Sequence, residues 1–270
     1  MRMTLIASAI ASAFLMPAVS FAEDAPAPAA APAAAAPAAA PVNPFTGNFM
    51  IASEYLYRGI AQTRGKPAVQ GGFDYAHPSG FYVGTWGSNI SWISDVTPGT
   101  SASLELDIYG GYKGSITDDL GYDVGVLTYN YPGTYPAGFT KPDTTEVYAA
   151  LSWKWLSAKY SHSTTNLFGT LTPTGGNTKG SGYLDLTGTF DLGDGLGVTG
   201  HVGHQSMKGF SAASYTDWKI GVTKDVGLGT VGAALLGTDA KDSCAKAEPY
   251  CFGGYAAGKS RAQLTFGKTF

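Results

Sequence analysis

Hydrophobic and polar residues alternate along most of the chain after Phe45. In residues 104–108, two leucines and an isoleucine alternate with Glu105 and Asp107. A period of two is typical of a β-strand with one apolar and one polar face. Twelve runs of this kind predict twelve strands, at 45–57, 67–76, 81–92, 103–113, 120–130, 145–155, 158–166, 182–191, 196–206, 215–225, 230–238 and 259–270.

The connections between these runs alternate in length. The short ones are 77–80, 114–119, 156–157, 192–195 and 226–229, and the long ones are 58–66, 93–102, 131–144, 167–181, 207–214 and 239–258. An even number of strands with alternating short turns and long loops is the arrangement of bacterial outer-membrane barrels. We therefore predict an all-β fold for residues 45–270: a transmembrane antiparallel up-and-down β-barrel of twelve strands, with long external loops and short periplasmic turns.

Charged residues decide which face of the strands points inward. An ionised group on a lipid face would cost about 2–4 kcal/mol at the bilayer midplane, so the charged face is expected to surround a polar lumen. The alternative fold is a secreted β-sandwich with one solvated face. The residues predicted to line the lumen are Glu54, Arg58, Glu105, Asp107, Lys113, Asp123, Glu146, Lys154, Lys159, Asp185, Asp217, Lys219 and Arg261.

Aromatic residues near the predicted strand ends suit the girdles of a membrane barrel. They are Tyr55, Tyr57, Tyr82, Trp92, Trp153, Trp155, Phe266 and Phe270. The last strand places Phe266 and Phe270 in alternating register, with Phe270 at its end, and resembles the C-terminal insertion signal of outer-membrane proteins. We therefore expect the barrel-assembly machinery, outer-membrane lipid and lipopolysaccharide to be partners.

The first 44 residues have a different composition. Arg2, an apolar run from Leu5 to Met16 and small residues before Glu23 predict a signal peptide at 1–22. That run is too short to span a membrane as a helix. Residues 23–44 are mostly Ala and Pro, which predicts an extended periplasmic linker. Together these segments predict export to the outer membrane of a Gram-negative bacterium.

Composition excludes several classes of protein. The 270 residues include 37 glycines, 16 tyrosines and 13 phenylalanines, which fits an all-β chain with many turns. The net charge of −3 offers no basic surface for a nucleic acid. The two cysteines, Cys244 and Cys251, lie in one long loop, and we expect them to form a disulfide after export.

No motif indicates catalysis, a cofactor or a metal. His201 and His204 fall on opposite faces of one predicted strand, so they cannot share a metal ion without a bulge. The sequence has no G-x-S-x-G elbow. The glycines at 193, 195 and 197 precede a strand rather than a helix, which indicates a hairpin turn and not a phosphate loop.

Several stretches resemble the TorF family of porin-type proteins, first described as conserved proteins of unknown function. They are EYLYRGIAQT at 54–63, GKPAVQGGFDY at 65–75, GFYVGTW at 80–86, LELDIYGGY at 104–112, YTDWK at 215–219 and KTF at 268–270. The resemblance covers residues 45–270 and implies an outer-membrane barrel. It brings no substrate and no catalytic residue.

These observations favour passive diffusion of small hydrophilic solutes through a narrow or partly plugged lumen, because twelve strands lie between filled and wide barrels. Inward tyrosines (Tyr109, Tyr129, Tyr131, Tyr148 and Tyr183) would either stack on flat solutes or fill the lumen and hydrogen-bond its charges. The alternative function is a non-conducting structural or adhesive outer-membrane protein that acts through its external loops. A third class, an outer-membrane hydrolase, has no supporting motif.

Overall fold

The computed structural model describes residues 43–270. In this range twelve antiparallel strands form a closed barrel, in which sequence neighbours pair and the first strand pairs with the last. The predicted fold class and strand number are therefore confirmed. The strands are β1 (Phe45–Ala52), β2 (Ala68–Ala76), β3 (Phe81–Asn89), β4 (Leu104–Ser115), β5 (Leu120–Asn130), β6 (Thr144–Trp153), β7 (Leu156–Ser163), β8 (Gly182–Asp191), β9 (Leu196–Ser206), β10 (Tyr215–Asp225), β11 (Thr230–Thr238) and β12 (Arg261–Thr269). The predicted signal peptide and all but the last two residues of the predicted linker lie outside the described residues.

Six long connections meet at one end of the barrel, which we name the loop end, and five short turns lie at the other, the turn end. The long connections are 53–67, 90–103, 131–143, 164–181, 207–214 and 239–260. Three short 3-10 helices, Leu167–Gly169, Ser211–Ala213 and Cys244–Lys246, lie within the long connections. None of the helices between residues 43 and 270 is long and apolar enough to cross a bilayer.

The strands place apolar side chains outside and charged side chains inside. Ile108 on β4 and Ile220 on β10 are 51% and 62% exposed, whereas Asp107 and Asp217 on the same strands are fully buried. The hydrophobic effect cannot explain this inversion in water, because the apolar side chains face outward. A lipid exterior around a polar interior does explain it.

Several predicted strands end early, and one has its faces reversed. β1 ends at Ala52 rather than at residue 57, and β3 ends at Asn89 rather than at residue 92. On β3, Tyr82 and Trp86 are buried inside the barrel, although their apolar rings predicted the lipid face. The Tyr82 hydroxyl donates to the Asp123 carboxylate at 2.6 Å, a partner that the lipid face would not provide.

Only half of the residues predicted to form the aromatic girdle lie on the outside of the barrel. Trp153, Trp155, Phe266 and Phe270 are exposed on the outside. Tyr55, Tyr57 and Tyr82 are buried within the barrel, and Trp92 packs against the same interior cluster. Those four residues are therefore not part of a girdle. Their rings pack against one another, or their hydroxyl groups form hydrogen bonds, in the barrel interior. The period of two does not distinguish this aromatic interior from a lipid-facing surface.

Inward tyrosine rings lie over glycines of the neighbouring strand. Gly84 and Tyr109 are Cα partners, as are Gly125 and Tyr148, and a Cβ on either glycine would collide with the tyrosine ring. An aromatic ring that covers a cross-strand glycine replaces the packing that the glycine lacks. Part of the glycine excess therefore reflects the tyrosine-filled interior rather than turns alone.

Two glycines of β9 provide a matched test of this packing. A Cβ at Gly203 would overlap the Tyr183 hydroxyl and approach Asp217 Oδ1 at 2.9 Å, whereas a Cβ at Gly200 meets nothing within 4 Å. Gly203→Ala should lower the free energy of unfolding by about 1–3 kcal/mol through overpacking. Gly200→Ala should leave it unchanged or raise it slightly. Urea unfolding in lipid vesicles, followed by tryptophan fluorescence, measures both, and equal effects would contradict the packing argument.

Candidate functional site: a plugged lumen and a cavity at the loop end

The first long connection folds back into the barrel. Every residue from Glu54 to Thr63 is buried, and Leu56–Tyr57 pairs with Ile60–Ala61 as a two-stranded hairpin. Arg58 and Gly59 form its tip with φ angles of 46° and 74°. We name residues 54–66 the plug hairpin. The sequence predicted that residues 54–57 would continue β1 and that 58–66 would form a long loop, so the inward hairpin was not expected.

Backbone contacts hold the plug hairpin against the wall. The Gln62 amide N–H donates to the Tyr55 carbonyl at 2.8 Å within the hairpin, and Ala61 N–H donates to the Ala257 carbonyl at 3.0 Å. Gln263 on β12 donates from Nε2 to the Glu54 carbonyl at 2.8 Å. Satisfied backbone groups are required for a buried segment. The hairpin is thus built into the lumen.

Arg58 lies at the centre of the contact between the plug hairpin and the wall. Its Nη2 donates to Glu146 Oε2 at 2.8 Å, and its Nη1 donates to Gln205 Oε1 at 2.8 Å. The guanidinium also lies 4.1 Å from the ring centroid of Tyr183. The Arg58 and Glu146 side chains are 0% and 2% exposed. A fully desolvated pair with these additional partners links the hairpin tip to β6 and β9.

Glu105 on β4 holds two tyrosines that close the same region. Tyr55 of the plug hairpin donates to Glu105 Oε1 at 2.6 Å, and Tyr131 donates to Oε2 at 2.8 Å. Burial, and then the nearby negative charge of Glu105, raise the pKa of Tyr55 and of Tyr131. Both phenols therefore remain neutral donors.

A second polar network lies on β8, β9 and β10. His201 Nε2 lies 2.8 Å from Asp217 Oδ2, and its Nδ1 lies 3.3 Å from Asp185 Oδ2. The Tyr183 hydroxyl donates to Asp217 at 3.0 Å. The neighbouring His204 points outward and is exposed, as the strand period predicted. No group of three or more His, Cys, Asp or Glu in the described part of the chain is arranged to hold a metal ion.

Inward tyrosines bond to the carboxylates of the wall. Besides Tyr82, Tyr109 donates to Asp74 at 2.6 Å and Tyr148 is hydrogen-bonded to Tyr82. Tyr129 donates to Glu146 at 3.4 Å. These tyrosines are therefore hydrogen-bonded to the charged and polar groups of the interior, which was one of the two roles that the sequence left open.

The remaining predicted lumen residues occupy different positions. The Nζ atoms of Lys113 and Lys159 lie 5.6 Å and 4.6 Å from the ring centroids of Tyr82 and Tyr148. Lys219 is buried inside the barrel, and Arg261 Nε lies 3.6 Å from Glu54 Oε2.

Lys154 is the exception among the charged residues predicted to face the lumen. It lies in the turn between β6 and β7, with its side chain 51% exposed and its Nζ 3.6 Å from Asp119 Oδ2. The strand β6 ends one residue earlier, so the alternation no longer points Lys154 inward.

The turn end of the lumen differs around the barrel. Inward residues near the turns of β6, β7 and β9, such as Ser152, Ser157 and Thr199, are half-buried, whereas Tyr82 and Asp123, near the turns of β3 and β5, are buried. Wall side chains therefore fill part of the lumen beyond the part that the plug hairpin occupies.

A cavity of about 190 Å³ lies above the plug hairpin at the loop end. All six long connections contribute to its wall, for example through Tyr57, Trp92, Tyr131, Phe168, Met207 and Tyr250. No local sequence pattern reveals this cavity, because residues from six separate loops converge only in the folded barrel.

The predicted disulfide is confirmed and belongs to the cavity wall. Cys244 and Cys251 are bonded, with a Cα–Cα distance of 5.1 Å. Tyr250 lies within the segment that the bond closes, and Phe252 follows Cys251 directly. Both aromatic residues line the cavity. On the chain-entropy model, a loop this short contributes about 2–3 kcal/mol, which fixes this part of the wall.

A closed barrel of twelve antiparallel strands, apolar outside and charged inside, has the porin type of fold. Among solved structures, the KdgM porin aligns with a TM-score of 0.50 and 5% identity, covering 83% of this chain and 98% of that one. The NanC porin aligns with a TM-score of 0.51 and 10% identity over the same shares. At these identities the similarity concerns the fold.

The family is established from the sequence. Residues 35–270 match the family described as "Bacterial protein of unknown function (Gcw_chp)", and the chain belongs to it. No curated protein sequence matches significantly.

Proposed function

We propose that the protein is an outer-membrane channel for passive diffusion of small hydrophilic solutes, related to the TorF porins, whose narrow polar lumen is closed by the plug hairpin. The observation that carries the proposal is the charged interior inside an apolar exterior. Carboxylates and cations both occur on the wall, as in Asp217 beside Lys219, so the lumen orients polar solutes without a strong preference for one sign. The protein acts without enzymatic activity or a cofactor.

The proposed location follows from the same surface. After export with the signal peptide 1–22 and release into the periplasm of a Gram-negative bacterium, the linker 23–44 precedes the barrel. Phe266 and Phe270 serve as the insertion signal for the barrel-assembly machinery. The exposed apolar residues then contact outer-membrane lipid, and the loop end faces lipopolysaccharide and the medium.

Planar-bilayer recording of the purified protein tests the proposal. Because the plug hairpin fills the loop half of the lumen, we expect small, intermittent conductance steps rather than a large steady current. The steps should disappear when the protein is omitted. A barrel that never conducts, with or without the plug hairpin, would contradict the proposal.

The second candidate function is a non-conducting adhesive or structural protein. The observation that favours it is the cavity to which all six long connections contribute. In that case, deletion of loop segments abolishes binding of a partner, while solute uptake by cells is unchanged.

A further inference from the structure

Seven aromatic rings follow one another around the cavity at the loop end. Their centroid distances, in order, are 5.5 Å for Tyr57–Phe168, 6.5 Å for Phe168–Tyr131, 5.6 Å for Tyr131–Trp92, 5.9 Å for Trp92–Phe252, 6.3 Å for Phe252–Tyr250 and 5.0 Å for Tyr250–Tyr215. Every one of these residues lines the cavity. Five of these six pairs are packed edge to face, and the Trp92–Phe252 pair is tilted by 38°, so the rings form a continuous packed wall.

The hydroxyl groups of three of these tyrosines are bonded to the protein. Tyr57 donates to the Tyr129 hydroxyl at 2.9 Å, Tyr131 donates to Glu105, and Tyr250 donates to the Ala213 carbonyl at 2.5 Å. Burial raises the pKa of Tyr250, so its ring is neutral. These rings therefore offer carbon surface to a ligand rather than hydroxyl groups.

The amides of the wall are also engaged. Gln62 donates from Nε2 to the Ile60 carbonyl at 2.9 Å. Gln205 accepts from Arg58 and donates to the Gly182 carbonyl at 3.0 Å. A ligand with many hydroxyl groups, such as a sugar, would leave most of them without partners against this wall, which is costly.

Trp92 supplies one free hydrogen-bond donor. Its indole Nε1 is buried and has no hydrogen-bond partner among residues 43–270. Trp92 lines the cavity, and unsatisfied buried donors are rare, so a ligand acceptor that this N–H meets after a small rotation of the indole would gain a hydrogen bond.

The size and charge of the surroundings narrow the ligand further. A dry cavity of ~150 Å³ accommodates benzene, so about 190 Å³ holds one ring with a small substituent. None of the residues that line the cavity is charged, and the Arg58 guanidinium behind the Tyr57 ring is already paired with Glu146. A charged ligand would therefore be desolvated without a partner, which favours a neutral one.

We propose that this cavity binds a neutral, single-ring aromatic compound with one acceptor oxygen. The cavity lies at the loop end, above the plug hairpin, where a solute would enter the proposed channel. Any effect of the ligand on transport therefore rests on the proposed function, whereas binding of the ligand does not. Binding itself is measured without transport, so a protein that conducts but does not bind, or binds but does not conduct, separates the two proposals.

The experiment uses acetophenone and α-methylstyrene, which have the same shape but differ in carrying a carbonyl oxygen or a methylene group. The full-length mature protein in lipid nanodiscs is titrated by calorimetry, with empty nanodiscs as the blank for partitioning into lipid. We expect saturable binding of acetophenone with a Kd on the order of 0.1–1 mM, and weaker binding of α-methylstyrene.

Three variants locate the site. Trp92→Phe keeps a ring but removes the donor, so the affinity for acetophenone should fall about fivefold while that for α-methylstyrene changes less than about twofold. Ala213→Phe places a ring in the cavity and should abolish binding of both, with folding checked by the heat-dependent gel shift. Trp218→Phe, on the lipid-facing side of β10, should change neither affinity.

The absence of saturable acetophenone binding to the unaltered protein overturns the proposal. So does an equal loss of affinity for both compounds in Trp92→Phe, because the indole donor would then have no specific role. If Ala213→Phe does not fold, the contrast between Trp92→Phe and Trp218→Phe still decides the question.

Discussion

Replacing residues 53–67 with a two-residue Asn-Gly turn is expected to raise the single-channel conductance on the order of tenfold. Ala52 and Ala68 are Cα partners on adjacent strands, so a two-residue turn can join them without moving β1 or β2. The replacement removes the plug hairpin, and Glu105 and Glu146 then line an open lumen. Water hydrates both carboxylates, so the change opens the barrel without leaving buried charges. Planar-bilayer recording measures the effect.

Replacing part of another long connection is the matched control. Residues 136–140 form an exposed tip at the loop end and contribute nothing to the cavity wall. Replacing them with two glycines should leave the conductance unchanged. If the hairpin replacement folds but conducts no more than the unaltered protein, the plug hairpin is not what closes the lumen, and the adhesive alternative is favoured.

The barrel itself could be predicted because the cost of a charge in lipid constrains every strand. On β4, Glu105 and Asp107 alternate with leucine and isoleucine, and only one arrangement keeps the carboxylates out of lipid. The same physics places Asp217 inside β10. Strand number and topology followed from counting such runs and the connections between them.

The prediction of which face of β3 points inward was wrong, because it rested on aromatic residues. Tyr82 and Trp86 are apolar enough for the lipid face, yet both lie inside, where Tyr82 meets Asp123 on another strand. That carboxylate lies 41 residues away in sequence, so no local pattern reveals it. A tyrosine ring can face either lipid or the barrel interior, and the position of its hydrogen-bond partner determines which side it takes.

The plug hairpin escaped prediction for a related reason. Tyr55 and Tyr57 continue the period of two, which made residues 45–57 resemble one strand. Arg58 bonds to Glu146, 88 residues further along the chain, and this contact turns the segment inward. Twelve strands are compatible with a partly plugged lumen, but strand number does not indicate which connection supplies the plug.

Arg58→Ala is expected to lower the free energy of unfolding by about 3–5 kcal/mol, because it leaves Glu146 buried without its cation. Gln205 Oε1 also loses the donor at 2.8 Å. Withdrawal of the plug hairpin from the wall would admit water to Glu146 and relieve this cost, so the same variant should show longer open periods in bilayer recordings. Urea unfolding in vesicles measures the first effect, and dwell times measure the second.

The double variant Arg58→Ala/Glu146→Gln separates the ion pair from the loss of packing. With no buried charge left, its unfolding free energy should be higher than that of Arg58→Ala, although Glu146→Gln alone is destabilising, which gives a coupling above about 1 kcal/mol. Lys66→Ala provides the control on the same hairpin. Its Nζ is paired with Asp95 at 3.2 Å but its side chain is 65% exposed, so the loss should stay below about 1 kcal/mol. Additive effects of the two changes would show that Arg58 stabilises the hairpin by packing against Tyr57 and Tyr183 rather than by its pair with Glu146.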